Sequence, residues 1–93
     1  MNTFRFEIIT PERVFYSADI SSLVAPGTEG TFGVLANHAP LLARSSGGRV
    51  KVLENDQERF FQVGSGIVEV LPPRLAGANG KVLFFTKKAE ATR

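Results

Sequence analysis

Turn-forming residues interrupt this sequence at intervals of roughly eight to twelve positions, which leaves room only for short strands. The breaks are Thr10-Pro11, Pro26-Gly27, Ala36-Asn37, Ser45-Ser46-Gly47-Gly48, Glu54-Asn55-Asp56, Gly64-Ser65-Gly66 and Pro72-Pro73. Between them apolar and polar residues alternate with period two, as in half-buried strands. Phe4, Phe6 and Ile8 share a face opposite Arg5 and Glu7, and Val50 and Val52 oppose Arg49 and Lys51. Phe61 and Val63 alternate with Phe60 and Gln62, while Val82, Phe84 and Thr86 face away from Lys81, Leu83 and Phe85. No helix-length run free of Gly and Pro repeats apolar residues at helical spacing. The pattern predicts an all-β antiparallel sandwich or barrel. Arg49–Leu53 and Glu58–Val63 flank a polar Glu54-Asn55-Asp56-Gln57 and read as a hairpin. Leu71–Gly80 reads as a long loop between the last two strands, and the polar Lys87–Arg93 as a frayed tail.

Ninety-three residues suit one domain, expected over 1–87 with a polar tail over 88–93. At 10.1 kDa such a domain exposes on the order of 5,000 Å² and encloses a thin core. Eight Phe dominate that core. With no Cys, disulfides and thiolate metal sites are excluded. Met1-Asn2-Thr3-Phe4-Arg5 lacks the charged region and apolar run of a signal peptide. No stretch approaches the roughly 20 apolar residues of a membrane helix, so a soluble chain is expected. The net charge is only +2, with eleven Lys and Arg scattered along the chain. That is no concentrated nucleic-acid footprint.

Chemistry is thinly represented. His38 is the only histidine, and a metal site needs several partners. The carboxylates Glu7, Glu12, Asp19, Glu29, Glu54, Asp56, Glu58, Glu69 and Glu90 mostly fall at strand ends, turns or solvent faces. No catalytic residue, cofactor site or metal site is expected. Gly27, Gly30 and Gly33 are spaced like a phosphate loop, but such a loop leads into a helix whose N-terminus helps hold the phosphate. Here Glu29 lies inside the segment and strand-like Phe32-Gly33-Val34-Leu35 follows, so a structural turn is expected. Phe60-Phe61 and Phe84-Phe85 could be stacking platforms for single-stranded nucleic acid. Adjacent strand residues point to opposite faces, so each pair offers at most one ring, with the other in the core.

The segment Pro26-Gly27-Thr28-Glu29-Gly30-Thr31-Phe32-Gly33-Val34-Leu35-Ala36-Asn37-His38-Ala39-Pro40-Leu41-Leu42 resembles the signature of the F-type ATP synthase epsilon subunit. Ile9-Thr10-Pro11-Glu12-Arg13-Val14-Phe15-Tyr16-Ser17 looks like the start of that family's second strand. Phe61-Gln62-Val63-Gly64-Ser65-Gly66-Ile67-Val68-Glu69-Val70 looks like its late Ser-Gly-Gly strand pair. The ordered set runs from about Phe4 to Val70. It implies a ten-stranded antiparallel β-sandwich in a non-catalytic rotor subunit bridging the gamma subunit and the c-ring. Such a subunit couples proton- or sodium-driven rotation to ATP synthesis, and sits peripherally on the cytoplasmic side of a bacterial inner membrane. No small-molecule substrate, cofactor or nucleic acid is implied.

By resemblance, Glu29, Gly30, Thr31 and Phe32 face the c-ring loops, and Thr10, His38 and Ala43 lie on the gamma-facing side. His38 is either that contact or a turn histidine bonded to nearby backbone. Two contact surfaces imply exposed apolar residues, with Phe15, Tyr16, Phe32 and one Phe of each pair as candidates, although ordinary core packing is the expected fate of any one of them. The sequence departs from the family in three places. Thr31 stands where many relatives carry an acidic residue, Leu71–Gly80 is longer than the usual tight turn, and the chain ends where relatives add a C-terminal helical hairpin. Without that hairpin, the family's inhibition of ATP hydrolysis is not expected. The rival readings are a small β-barrel binding nucleic acid or another ligand and, more remotely, an enzyme with a deep polar pocket.

Overall fold

The computed structural model describes residues 2–73 and 79–92. Ten strands form two five-stranded sheets. In chain order they are β1 (Phe4–Ile9), β2 (Val14–Ile20), β3 (Ser22–Gly27), β4 (Gly30–Val34), β5 (Leu41–Ser45), β6 (Gly48–Glu54), β7 (Gln57–Val63), β8 (Gly66–Leu71), β9 (Lys81–Thr86) and β10 (Ala89–Thr92). The first sheet runs β2-β1-β9-β8-β5 and the second β10-β7-β6-β3-β4. The expected sandwich is therefore found, with one refinement. Every pair is antiparallel except β1 with β9, which run parallel from Arg5 opposite Lys81 to Ile9 opposite Phe85. A parallel pair needs a long connection, and here most of the domain supplies it. Alternation marks each strand but carries no information on which distant strand fills its second edge.

The core follows the alternation. Phe6, Ile8, Ile20, Val50, Val52 and Phe84 are completely buried between the sheets. Burying each of these side chains contributes about 1.5–3 kcal/mol. Their chain neighbours form the outer faces, where Arg5 pairs with Asp19 at 3.3 Å and Glu7 with Lys81 at 3.7 Å. The predicted hairpin is β6–β7, closed by Asn55 (φ 52°) and Asp56 (φ 63°). Two consecutive left-handed residues make the type I′ turn that matches strand twist. The chain passes from the first sheet to the second after β5. Gly47 makes that corner with φ 87°, and a Cβ there would stand 2.8 Å from the Gly64 carbonyl carbon.

The polar tail is a correction. It was expected to fray, but Ala89–Thr92 pairs with β7, Ala89 opposite Val63 and Thr92 opposite Phe60. Gly64 N–H donates to the Lys88 carbonyl at 2.9 Å. The hydroxyl of Thr86, one of two buried polar residues among those described, donates to the Ser65 carbonyl at 3.1 Å. An open sheet edge pairs through main chain, so a polar sequence can complete it. The long loop expected over Leu71–Gly80 lies partly outside the described residues; Leu71 itself closes β8.

Candidate functional site

Among the described residues no group of His, Asp and Glu could hold a metal ion. What the fold presents instead is surface. Thr28 and Glu29 form the turn between β3 and β4, with Gly30 at φ 116°. The N–H of Thr28 donates to the Arg44 carbonyl at 3.1 Å, pinning this turn to β5 in the other sheet. A groove of about 510 Å³ opens there, between the turn with β4 on one side and β5 on the other. Glu29, Gly30 and Thr31 are exposed along it and Phe32 is half-buried, packed against the core. The Glu29 carboxylate has no ion-pair partner among the described residues, so the turn offers a free negative charge.

Ala43 lines the same groove. The fold thus brings one residue expected on the gamma-facing side together with the four expected toward the c-ring. Thr10 is elsewhere. It closes the β1–β2 turn, its hydroxyl donating to the Arg13 carbonyl at 3.2 Å, and it lines a second groove of about 410 Å³. His38 sits half-buried between β4 and β5, where Nδ1–H donates to the Ala39 carbonyl at 2.7 Å. That bond is the one expected of a turn histidine.

The second groove is apolar because of strand register. Ile9 lies opposite Phe85, Phe85 opposite Ile67, and Ile67 opposite Arg44. The pairs place three large apolar side chains side by side on the outer face of the first sheet. Ile67 is 46% and Phe85 39% exposed, and Leu42 on the same face is 71% exposed. Of the expected exposed apolar residues, Phe85 is found so. Phe15 and Tyr16 are instead half-buried against the core. They lie on β2, at the edge of the first sheet, and pack on the Phe61 ring at centroid distances of 6.2 and 4.5 Å. Leu42 and Ile67 were missed, although their strand parity with Arg44 and Glu69 would have placed them outside.

The Tyr16 hydroxyl donates to Glu54 Oε1 at 2.7 Å, and Arg59 holds the same oxygen at 3.3 Å. Burial, then the hydrogen bond and the negative charge of Glu54, push the phenol well above its ordinary range. The cluster fastens β2 to the β6–β7 hairpin. Phe60 and Phe85 lie on outer faces of different sheets, so they form no common stacking platform. Arg49 already stacks on Phe60 at 4.0 Å.

Comparison with known proteins gives a consistent result. The family described as "ATP synthase, Delta/Epsilon chain, beta-sandwich domain" matches residues 3–76. The ATP synthase epsilon chain of Alkalilimnicola ehrlichii is 42% identical over 76 residues, covering 81% of this chain and 54% of that protein. The Chlorobaculum tepidum chain of the same name is 44% identical over 72% of this chain and 77% of its own length. That of Caulobacter vibrioides is 37% identical over 81% of this chain and 87% of its own. This chain therefore spans about half of the first relative and more of the other two. Among solved structures, a chain of the Euglena gracilis mitochondrial ATP synthase superposes with a TM-score of 0.83 at 15% identity, covering 98% of this chain and 54% of that one. A chain from the Tetrahymena thermophila mitochondrial ATP synthase central stalk and c-ring gives 0.73 at 16% identity, covering 94% and 65%; at such identities the likeness is one of fold. A sandwich with this strand order, the Pro26–Leu42 segment folded as the β3–β4 turn, β4 and the loop into β5, and a family match across most of its length together place this chain in the ATP synthase delta/epsilon family, as its β-sandwich domain.

Proposed function

We propose that this chain is a non-catalytic rotor component of an F-type ATP synthase, joining the gamma subunit to the c-ring. In that position it couples proton- or sodium-driven rotation to ATP synthesis. The observation that carries the reading is a pair of separate exposed surfaces on one rigid sandwich: the β3–β4 turn groove and the apolar row Ile9–Phe85–Ile67. A standard interface covers roughly 800 Å² per partner, so two would cover somewhat under a third of the 5584 Å² surface. Glu29, Gly30, Thr31 and Phe32 face the c-ring, while Thr10, His38 and Ala43 serve the gamma side. Since Ala43 and Phe32 share a groove, the two partners meet near β5. The solved neighbours named for the central stalk and c-ring, and the bacterial relatives, support this assignment and a place on the cytoplasmic side of a bacterial inner membrane.

Co-expression with the gamma subunit of the same organism followed by size-exclusion chromatography tests the reading. Co-elution at equal stoichiometry is expected. Separate elution, with both proteins shown to be folded, counts decisively against it. Inhibition by the family's helical hairpin requires long helices, and the described residues form strands. Reconstitution with this 93-residue chain therefore leaves ATP hydrolysis at its uninhibited rate, and a strong fall in hydrolysis on adding it refutes that part.

A further inference from the structure

Three carboxylates among the described residues are half-buried: Glu7, Glu54 and Glu69. Glu7 accepts from the Ser17 hydroxyl at 3.0 Å and pairs with Lys81 at 3.7 Å. Glu54 accepts from the Tyr16 hydroxyl at 2.7 Å and from Arg59 at 3.3 Å. Glu69 has neither an ion pair nor a side-chain hydrogen bond among the described residues. The other described carboxylates are exposed, and water solvates them. Glu69 alone gives up part of its hydration with no charge or donor in return, which is unfavourable for the isolated domain.

Strand register surrounds it with apolar groups. Glu69 lies opposite Leu83 on β9 and opposite Leu42 on β5, with Ile67 and Leu71 two residues away on the same face. Phe85, opposite Ile67, extends the patch. Two basic residues stand diagonal to the carboxylate: Lys81 is taken by Glu7, and Arg44 forms no ion pair with it. An exposed apolar patch marks a contact site, and the carboxylate at its centre specifies the chemistry of what covers it. A purely apolar occupant would strip the remaining water from Glu69 and leave an uncompensated buried charge. The fitting occupant is an apolar surface that carries a cation.

We infer that Glu69 is the counter-charge for a lysine or arginine of the gamma subunit, presented among apolar side chains that cover Ile67 and Phe85. The inference rests on the proposed function. Thr10, assigned there to the gamma side, lines the groove that contains Ile67 and Phe85, and none of Glu29, Gly30, Thr31 and Phe32 does. The apolar side chains supply contact area, and their exclusion of water strengthens the attraction between the two charges. The pair also fixes the register of docking, because any pose that leaves Glu69 covered without its cation is unfavourable.

Glu69→Gln separates binding from folding, since it keeps the side chain's size and removes only the charge. The thermal midpoint of the free chain should stay unchanged or rise, because an unpaired, half-buried charge is lost. Affinity for the purified gamma subunit of the same organism should nevertheless fall by at least about tenfold, chiefly through faster dissociation, as when one member of a covered charge pair is neutralised. Glu90→Gln is the control: it removes the same charge from an exposed site on β10 in the other sheet, and should bind gamma as the unmodified chain does. Unchanged affinity in Glu69→Gln overturns the counter-charge while leaving the gamma partnership intact. An equal loss in Glu90→Gln overturns it too, because net charge then explains the effect, and so does a loss of affinity that comes with a lowered thermal midpoint. Failure of the unmodified chain to bind gamma removes the partnership and the counter-charge together.

Discussion

Replacing Phe84 with alanine should cost this domain a large fraction of its stability, while replacing its neighbour Phe85 should cost much less. Phe84 is 0% exposed at the centre of the first sheet, between Ile8 on β1 and Val68 on β8. Truncation there removes the transfer energy of the ring and leaves a closed cavity, about 3–5 kcal/mol together. A 93-residue domain has a total stability of roughly 5–14 kcal/mol, so the loss is a large fraction of the whole. Phe85 points the opposite way and keeps 39% of its surface exposed. Only the covered part is lost and solvent fills the space, which puts the cost at about 1–2 kcal/mol. Urea unfolding of the two variants beside the parent chain measures the difference, provided the slopes agree. A gap of about 2–3 kcal/mol is expected. Equal losses, within about 1 kcal/mol, would show that the two faces of β9 are not core and surface.

Three further outcomes follow from the same structure. The raised Tyr16 phenol keeps its proton when folded, whereas unfolded tyrosine loses it near pH 10. Stability that Tyr16 contributes below about pH 10 is thus lost as pH rises above it, and Tyr16→Phe should flatten that alkaline decline in melting temperature. Asp56→Gly relieves a left-handed residue in the β6–β7 turn and should raise stability by about 0.5–1 kcal/mol in the same urea assay; destabilisation would refute the type I′ assignment. Lys51 and Glu58 pair at 2.9 Å across β6 and β7, both about half exposed. Lys51→Ala should therefore change stability by less than about 1 kcal/mol, less still in high salt.

The amino-acid sequence determined the faces. Phe4, Phe6 and Ile8, then Val50 and Val52, then Val82 and Phe84 were legible as inward residues from alternation alone, and all are buried. The turn pair Asn55-Asp56 and the glycine turn before β4 were legible because their residue types tolerate left-handed backbone. Much of the candidate site was legible too, since the Pro26–Leu42 segment carries its family resemblance in the letters. Tertiary structure decided the neighbours. Only strand pairing could show that β1 lies parallel to β9, that Ala89–Thr92 completes the second sheet, and that Ala43 shares a groove with Phe32. It also decided between surface and core for Phe15 and Tyr16, which pack against the core at the edge of the sandwich. Side-chain period is a local property with a two-residue memory. Edge pairing is chosen among distant segments by main-chain hydrogen bonds that every residue except proline can make, so it leaves little trace in the sequence.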